Sequence, residues 1–167
     1  MEQLMNDKPS VIRETDEDAR ILARDLMHKA AHAALAVIDP ETGFPSVSRV
    51  LIADDVDGAP LILVSGLSAH TKALMKDPRA SMLFGEPGKG DPLAHPRLTV
   101  RCSAQRLDRQ GDTHERIRMR FLDRHPKSKL YIDFPDFCFF RLIPLDASLN
   151  GGFGRAYILS AEDLMTL

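Results

Sequence analysis

A chain of 167 residues, 44% apolar and 28% charged, is long enough to bury a sizeable core and has the balance of a globular domain. Its formal net charge of −2 excludes the strongly basic character of a protein that lives on nucleic acid or anionic membrane. No stretch reaches the ~20 apolar residues of a membrane span. The opening MEQLMNDKPSVIRETDEDAR lacks the basic start and apolar run of a signal peptide, so a cytoplasmic protein is expected.

Residues 1–14 carry no period and are expected to form a loose arm, with one domain over 15–167. TDED (15–18) has the capping-box pattern, with Thr15 as the expected cap. Ala19, Leu22, Ala23, Leu26 and Ala30 then recur at helical spacing and predict a helix over roughly 16–31. AALAVID (33–39), the turn cluster PETGFP and SVSRVLIA (46–53) predict a hairpin. DDVDGAP is a further turn, and LILVSG (61–66) a third strand. Strand, turn, strand at this spacing predicts an antiparallel meander and not βαβ units.

SAHTKALMKDP (68–78) predicts a short helix with Ser68 as N-cap, ended by Asp77-Pro78. RASMLFG (79–85) is a strand, EPGKGDPLAHP (86–96) a loop, and RLTVRCSAQRLD (97–108) a long strand. DTHERIRMRFLDRHP (112–126) predicts a helix capped by Asp112, with Ile117 and Phe121 on its inner stripe. FCFFRLIP (137–144) is a last long strand, with LDASLN as a candidate further strand before the glycine loop LNGGFGRAY. Many strands with few helices predict a mainly β (α+β) fold, a closed or split barrel with helices outside.

Several residues could carry chemistry. In the second strand Val47, Arg49 and Leu51 share a face, which makes Arg49 a cation on a largely apolar surface. It either snorkels to a rim or meets a bound anion with its planar fork. In LVSGLSAHTK a strand ends, turns at Gly66 and opens a helix whose first amides and dipole favour an anion. Thr71 and Lys72 add a hydroxyl and an ammonium. The alternative is an ordinary capped helix. His28 and His32 stand four apart on the first predicted helix, with no third ligand in view, and none of the six histidines falls in a metal-binding pattern. Cys102 and Cys138 sit in apolar stretches and read as buried thiols. GGFG does not follow the first strand of a βαβ unit and has no acidic residue ~20 positions on, so it fails as a dinucleotide fingerprint. A tight turn is its plainest reading.

Taken in order, AALAVID, GFPSVSRVLIADD, LILVSGLSAHTKALMKDPRASMLF, RLTVRCSAQRLD, YIDFPDFCFFRLIP and LNGGFGRAY resemble the FMN-binding split barrels related to pyridoxamine 5′-phosphate oxidase, and within them the haem-utilisation branch. The resemblance spans roughly residues 15–160. It implies a six-stranded antiparallel split β-barrel with flanking helices, and a homodimer with cofactor sites at the subunit interface. It implies FMN contacts from Arg49 to the phosphate or ribityl end and from the backbone of Val50, Leu51 and Ile52 to the ring edge. Val64 and Ser65 give a second contact, and Thr71 and Lys72 a phosphate-gripping pair. Arg97 and Arg141 are the candidates to close the site from the partner, with Phe153 and Arg155 of the glycine loop near it. Three departures stand out. Asp54 occupies the place of the vitamin oxidases' substrate lysine. GGFGRAY does not match their C-terminal arginine–histidine pair. The tail ILSAEDLMTL has no histidine for the haem ligand that a C-terminal extension can carry in the haem-utilisation branch. The expected function is therefore an FMN-dependent oxidoreductase acting on a small molecule other than pyridoxamine phosphate. The alternatives are a haem-binding or haem-degrading protein, or a non-catalytic flavin-binding module.

Overall fold

The computed structural model describes residues 11–166. Six long strands make the frame: β2 (His32–Ile38), β3 (Pro45–Leu51), β5 (Pro60–Ser65), β6 (Arg79–Phe84), β7 (Arg97–Arg106) and β8 (Phe137–Asn150). Every ladder among these six is antiparallel: β2 with β3 and β6, β6 with β7, β7 with β8, and β8 with β5. β3 and β5 come into contact without sharing a ladder, and the circuit stays split there. Three short strands extend this frame. β4 (Ala53–Asp54) pairs β5, and β9 (Ala156–Ser160) pairs the second half of β8. β1 (Ile12–Arg13) lies parallel to β9, which makes the whole sheet mixed. The split-barrel class expected from the sequence is thus the observed one, with more strands than the six it implies. Of the expected N-terminal arm, residues 1–10 lie outside the described residues, and Ile12–Arg13 form β1.

Among the described residues four α-helices flank the sheet: α1 (Glu17–Lys29), α2 (Ala69–Lys76), α3 (Asp112–Arg124) and α4 (Ala161–Leu164). α1 lays Ala19, Ala23 and Met27 on the main core, which gathers the inward residues of every long strand. α3 buries Ile117 and Phe121 in a second cluster with Leu61, Leu63 and Phe139. β5 explains the two clusters. Its Leu61 and Leu63 face α3 while Ile62 and Val64 face the barrel interior, so the strand is buried on both sides. That is why LILV is an unbroken apolar run and not an alternating one.

Several local expectations change. Asp16, not Thr15, caps α1 by accepting from the Ala19 amide at 2.8 Å; the Thr15 hydroxyl donates to the Ile158 carbonyl at 2.7 Å. α1 ends at Lys29, so His32 belongs to β2 and does not sit a helical turn from His28. Ser68 stands at the N-cap of α2 but its side chain makes no capping bond. Gly111, not Asp112, is the N-cap residue of α3. FCFFRLIP and LDASLN are one strand of 14 residues. Its inward side chains change phase at a bulge, where Arg101 pairs with Asp146 but Cys102 pairs with Pro144. Both cysteines are buried free thiols, and burial pushes the Cys102 thiol up to about 12. β9 and α4 come from the tail that the sequence reading left without structure.

Candidate functional site

Side chains alternate across β2 and β3, so Ala33, Leu35, Val37 and Val50 point into the core. His32, Ala34, Arg49 and Leu51 are left on the outer face. The register sets Ala34 between Arg49 of β3 and Leu83 of β6, and His32 opposite Leu51. α1 passes beside this face and brings Leu22, Asp25, Leu26 and Lys29 to it. Together they form a groove of about 690 Å³, closed at the far rim by Gly85, Glu86 and Pro87. Gly85 is required there: its φ is +107°, and a Cβ would stand 2.4 Å from the Pro96 carbonyl oxygen.

The groove has apolar walls from Leu22, Leu26, Leu83 and Pro87, a floor of alanines, and charges at its edges. Lys29 donates to Asp25 at 2.5 Å. His32 Nε2 lies 3.6 Å from Glu86 Oε1. Arg49 holds no ion pair or hydrogen bond to any described residue, so its guanidinium is free for an anionic ligand. The choice left open at Arg49, rim cation or anion contact, is thus narrowed to an unpaired cation at the lip of a ligand-sized groove.

Thr71 and Lys72 do not share that groove. They line a separate cavity of about 290 Å³ with Lys76, Arg106 and Cys138. Thr71 is 2% exposed, and its Oγ1 is the only buried side-chain polar atom without a hydrogen-bond partner among the described residues. A buried hydroxyl left unmatched costs about 1–3 kcal/mol, so a ligand acceptor there would be stabilising. The link between the two regions is indirect. Ser48, beside Arg49, has its Oγ 3.1 Å from Nδ1 of His70, beside Thr71, and burial holds the His70 imidazole below its ordinary value.

The remaining expected site residues have the following places and partners within the chain. Val50, Ile52 and Val64 are in the main core, and Leu51 is outward. The Ile52 amide donates to the Ala31 carbonyl at 3.0 Å, and the Ile52 carbonyl meets His125 Nε2 at 2.7 Å. Ser65 donates to Asp136 at 2.7 Å. Arg97 donates to the Leu93 carbonyl at 3.1 Å. Arg141 donates to Asp55 at 2.7 Å and also to Asp57, which ties β8 to the turn between β4 and β5. In the glycine loop Phe153 is 72% exposed, and Arg155 folds back to donate to the Gly151 carbonyl at 2.9 Å. That loop is the turn of the β8–β9 hairpin. Gly152 has φ +107° and would press a Cβ to 3.0 Å from the Ala94 carbonyl oxygen. Asp54, in the oxidase lysine's place, accepts from Arg120 at 3.3 Å and lies 3.2 Å from His28 Nδ1.

Lys29, Leu83 and the Gly85 rim were not singled out as site residues from sequence, and His32 was weighed only as a metal-sharing neighbour of His28. The period-2 pattern of β2 and β3 could have found the shared face, because it sets His32 and Ala34 outward with Arg49. The contribution of α1 could not be read locally.

The arrangement is that of a known family. A family model described as CREG, beta-barrel matches residues 14–166. The chain belongs to that family. The haem oxygenase HOZ, a chloroplastic protein of Arabidopsis thaliana, is 32% identical over 120 residues, which cover 72% of this chain and 36% of that protein. A haem-binding protein from Mycobacterium smegmatis has a solved structure 30% identical to this CREG-type barrel. Its TM-score is 0.79, over 92% of this chain and 61% of that one. The chain therefore spans less than two thirds of either relative. A protein of Clostridium acetobutylicum from the pyridoxinephosphate oxidase family is 14% identical at a TM-score of 0.67, over 90% and 99% of the two chains, and shares the fold. The resemblance read from the sequence is thus borne out at the level of family and fold. No described helix is long and apolar enough to cross a membrane.

Proposed function

We propose that this chain binds haem in the groove between α1 and the outer face of β2, β3 and β6, and holds it for oxidative opening of the ring. The observation that carries this reading is the unpaired Arg49 guanidinium at the lip of an apolar groove of about 690 Å³. Haem is a flat apolar ring with two carboxylates at one edge. Leucine walls and an alanine floor suit the ring, and Arg49 and Lys29 suit the carboxylates. Two relatives bear names with haem in them, which supports the same reading. Bound haem would supply a redox-active iron, with dioxygen and reducing equivalents coming from outside. The chain's part is to orient the ring with Arg49 and to keep water from its faces with Leu22, Leu26 and Leu83. Titration with ferric haem should give a saturable Soret band, and Arg49→Ala should weaken binding roughly tenfold or more, the worth of a charge-assisted hydrogen bond. An unchanged affinity would place the ring elsewhere.

A second reading keeps the flavin and rests on the unpartnered Thr71 hydroxyl beside Lys72, which fits the phosphate end of FMN. Quenching of FMN fluorescence that is lost in Lys72→Ala, with riboflavin bound equally by both proteins, would favour it. For assembly we propose a homodimer formed on the outer sheet face, where Val47, Leu51, Leu83, Leu145 and Ile158 are exposed together.

A further inference from the structure

We infer that His32 is the axial ligand that this chain offers to haem iron, with Glu86 as the residue that orients it. The inference rests on the haem reading of the groove and names the iron's contact within it. Haem brings four ring nitrogens of its own, so a single imidazole completes a protein-held site.

His32 is the one histidine among the residues lining the groove. It is the first residue of β2, and its ladder partner is Leu51 of β3. Its ring therefore stands on a rigid strand and not on a loop, which is where a ligand is best positioned. The alternation of β2 turns it outward, to the same face as Ala34 and Arg49. Arg49 is opposite Ala34, two residues along β2 from His32, or roughly 7 Å at strand spacing. An iron above His32 would then leave the ring's carboxylate edge within reach of the long Arg49 side chain. The alanines beside His32 leave room for a flat ring to approach the strand.

The side chain is prepared for this use. His32 is 38% exposed, so its ring is open to the groove, and Nε2 is within ion-pair distance of Glu86 at 3.6 Å. A carboxylate on the side of one ring nitrogen leaves the other nitrogen for a metal, the usual arrangement around metal-bound histidines. The remaining histidines are placed otherwise. His28 is beside Asp54, His70 beside Ser48, His125 on the Ile52 carbonyl, and His95 on the Lys89 carbonyl. His114 packs edge-on against Phe139.

Ferric haem is titrated into the full chain and into His32→Ala, Glu86→Gln and, as a control outside the groove, His28→Ala, with circular dichroism as the check on folding. The expected result is a Soret maximum that shifts in His32→Ala, with affinity at least about tenfold lower, and that returns when free imidazole is added. Glu86→Gln should keep the ligand but weaken haem by about tenfold, in line with other orienting partners. The ferrous iron–imidazole stretch in resonance Raman should vanish in His32→Ala alone. A folded His32→Ala with the wild-type Soret band and affinity overturns the ligand assignment while leaving the haem reading standing. A shift in His28→Ala instead overturns it too. Failure of the wild-type chain to bind haem at all overturns the groove reading together with its ligand.

Discussion

Asp55 shows how a single carboxylate can organise a corner of the fold. It is 1% exposed, and it accepts from Arg141 at 2.7 Å, Arg116 at 3.1 Å and the Val56 amide at 2.8 Å. Burial alone would raise its proton affinity, but the Val56 amide and the two guanidiniums outweigh it and hold the carboxyl below its ordinary value. A depressed folded value means the carboxylate stabilises the fold fully above the unfolded value near 3.9, and that contribution drains as pH falls through the lower folded value. Thermal melts taken from pH 6 to pH 2 should therefore show a steep loss below about pH 4, and Asp55→Asn should flatten that loss. Arg141→Ala should destabilise by about 2 kcal/mol in denaturant unfolding, since a hydrogen bond to a buried charge is removed. Arg141 was assigned from sequence to the partner's cofactor. An arginine in a strand announces a positive charge but not its partner, and the aspartates it meets lie more than eighty residues away along the chain.

Elements were legible where their pattern is local and lost where it is not. The apolar runs gave the strands β2, β3, β5, β6 and β7, and the helical stripes gave α1, α2 and α3, but the meander expected over the first three long strands stops at the β2–β3 hairpin, because β5 pairs with β4 and β8. β8 was cut in two because Pro144 reads as an end. In the fold that proline faces the bulge opposite Cys102, where the ladder is already interrupted and a missing N–H does little harm. α4 was missed because four residues cannot hold a helix alone. It is fixed from outside. Asp163 closes a capping box with Ser160, accepts from Arg20 at 2.7 Å, and presents its carbonyl to Arg24 at 2.8 Å. Asp163→Ala should therefore cost about 1.5–3 kcal/mol, more than a surface substitution, and urea unfolding would read it. The groove lies between two such elements. Its sheet half was within reach of the sequence pattern, and its helix half was not.

At the scale of the whole molecule, the exposed apolar residues of β3, β6, β8 and β9 lie on one sheet face, and Val47 is 67% exposed there, outside the groove lining. Val47→Asp should turn a dimer into a monomer in sedimentation velocity; a wild-type chain that already sediments as a monomer would remove that face from the assembly. The pattern of strands and helices left the barrel closed or split, and the ordered likeness of six segments to a family gave its split, six-stranded form. One feature of the barrel reaches into its kinetics. β8 is laddered on both edges along half of its length, to β7 on one side and to β5 and then β9 on the other. Its neighbour β5 is more than seventy residues away in the chain, so that pairing must close a long loop before any reward arrives. Folding should be slow for a chain this size. In native-state hydrogen exchange the amides of β8 should be among the last to surrender their protons, opening only when the whole domain does.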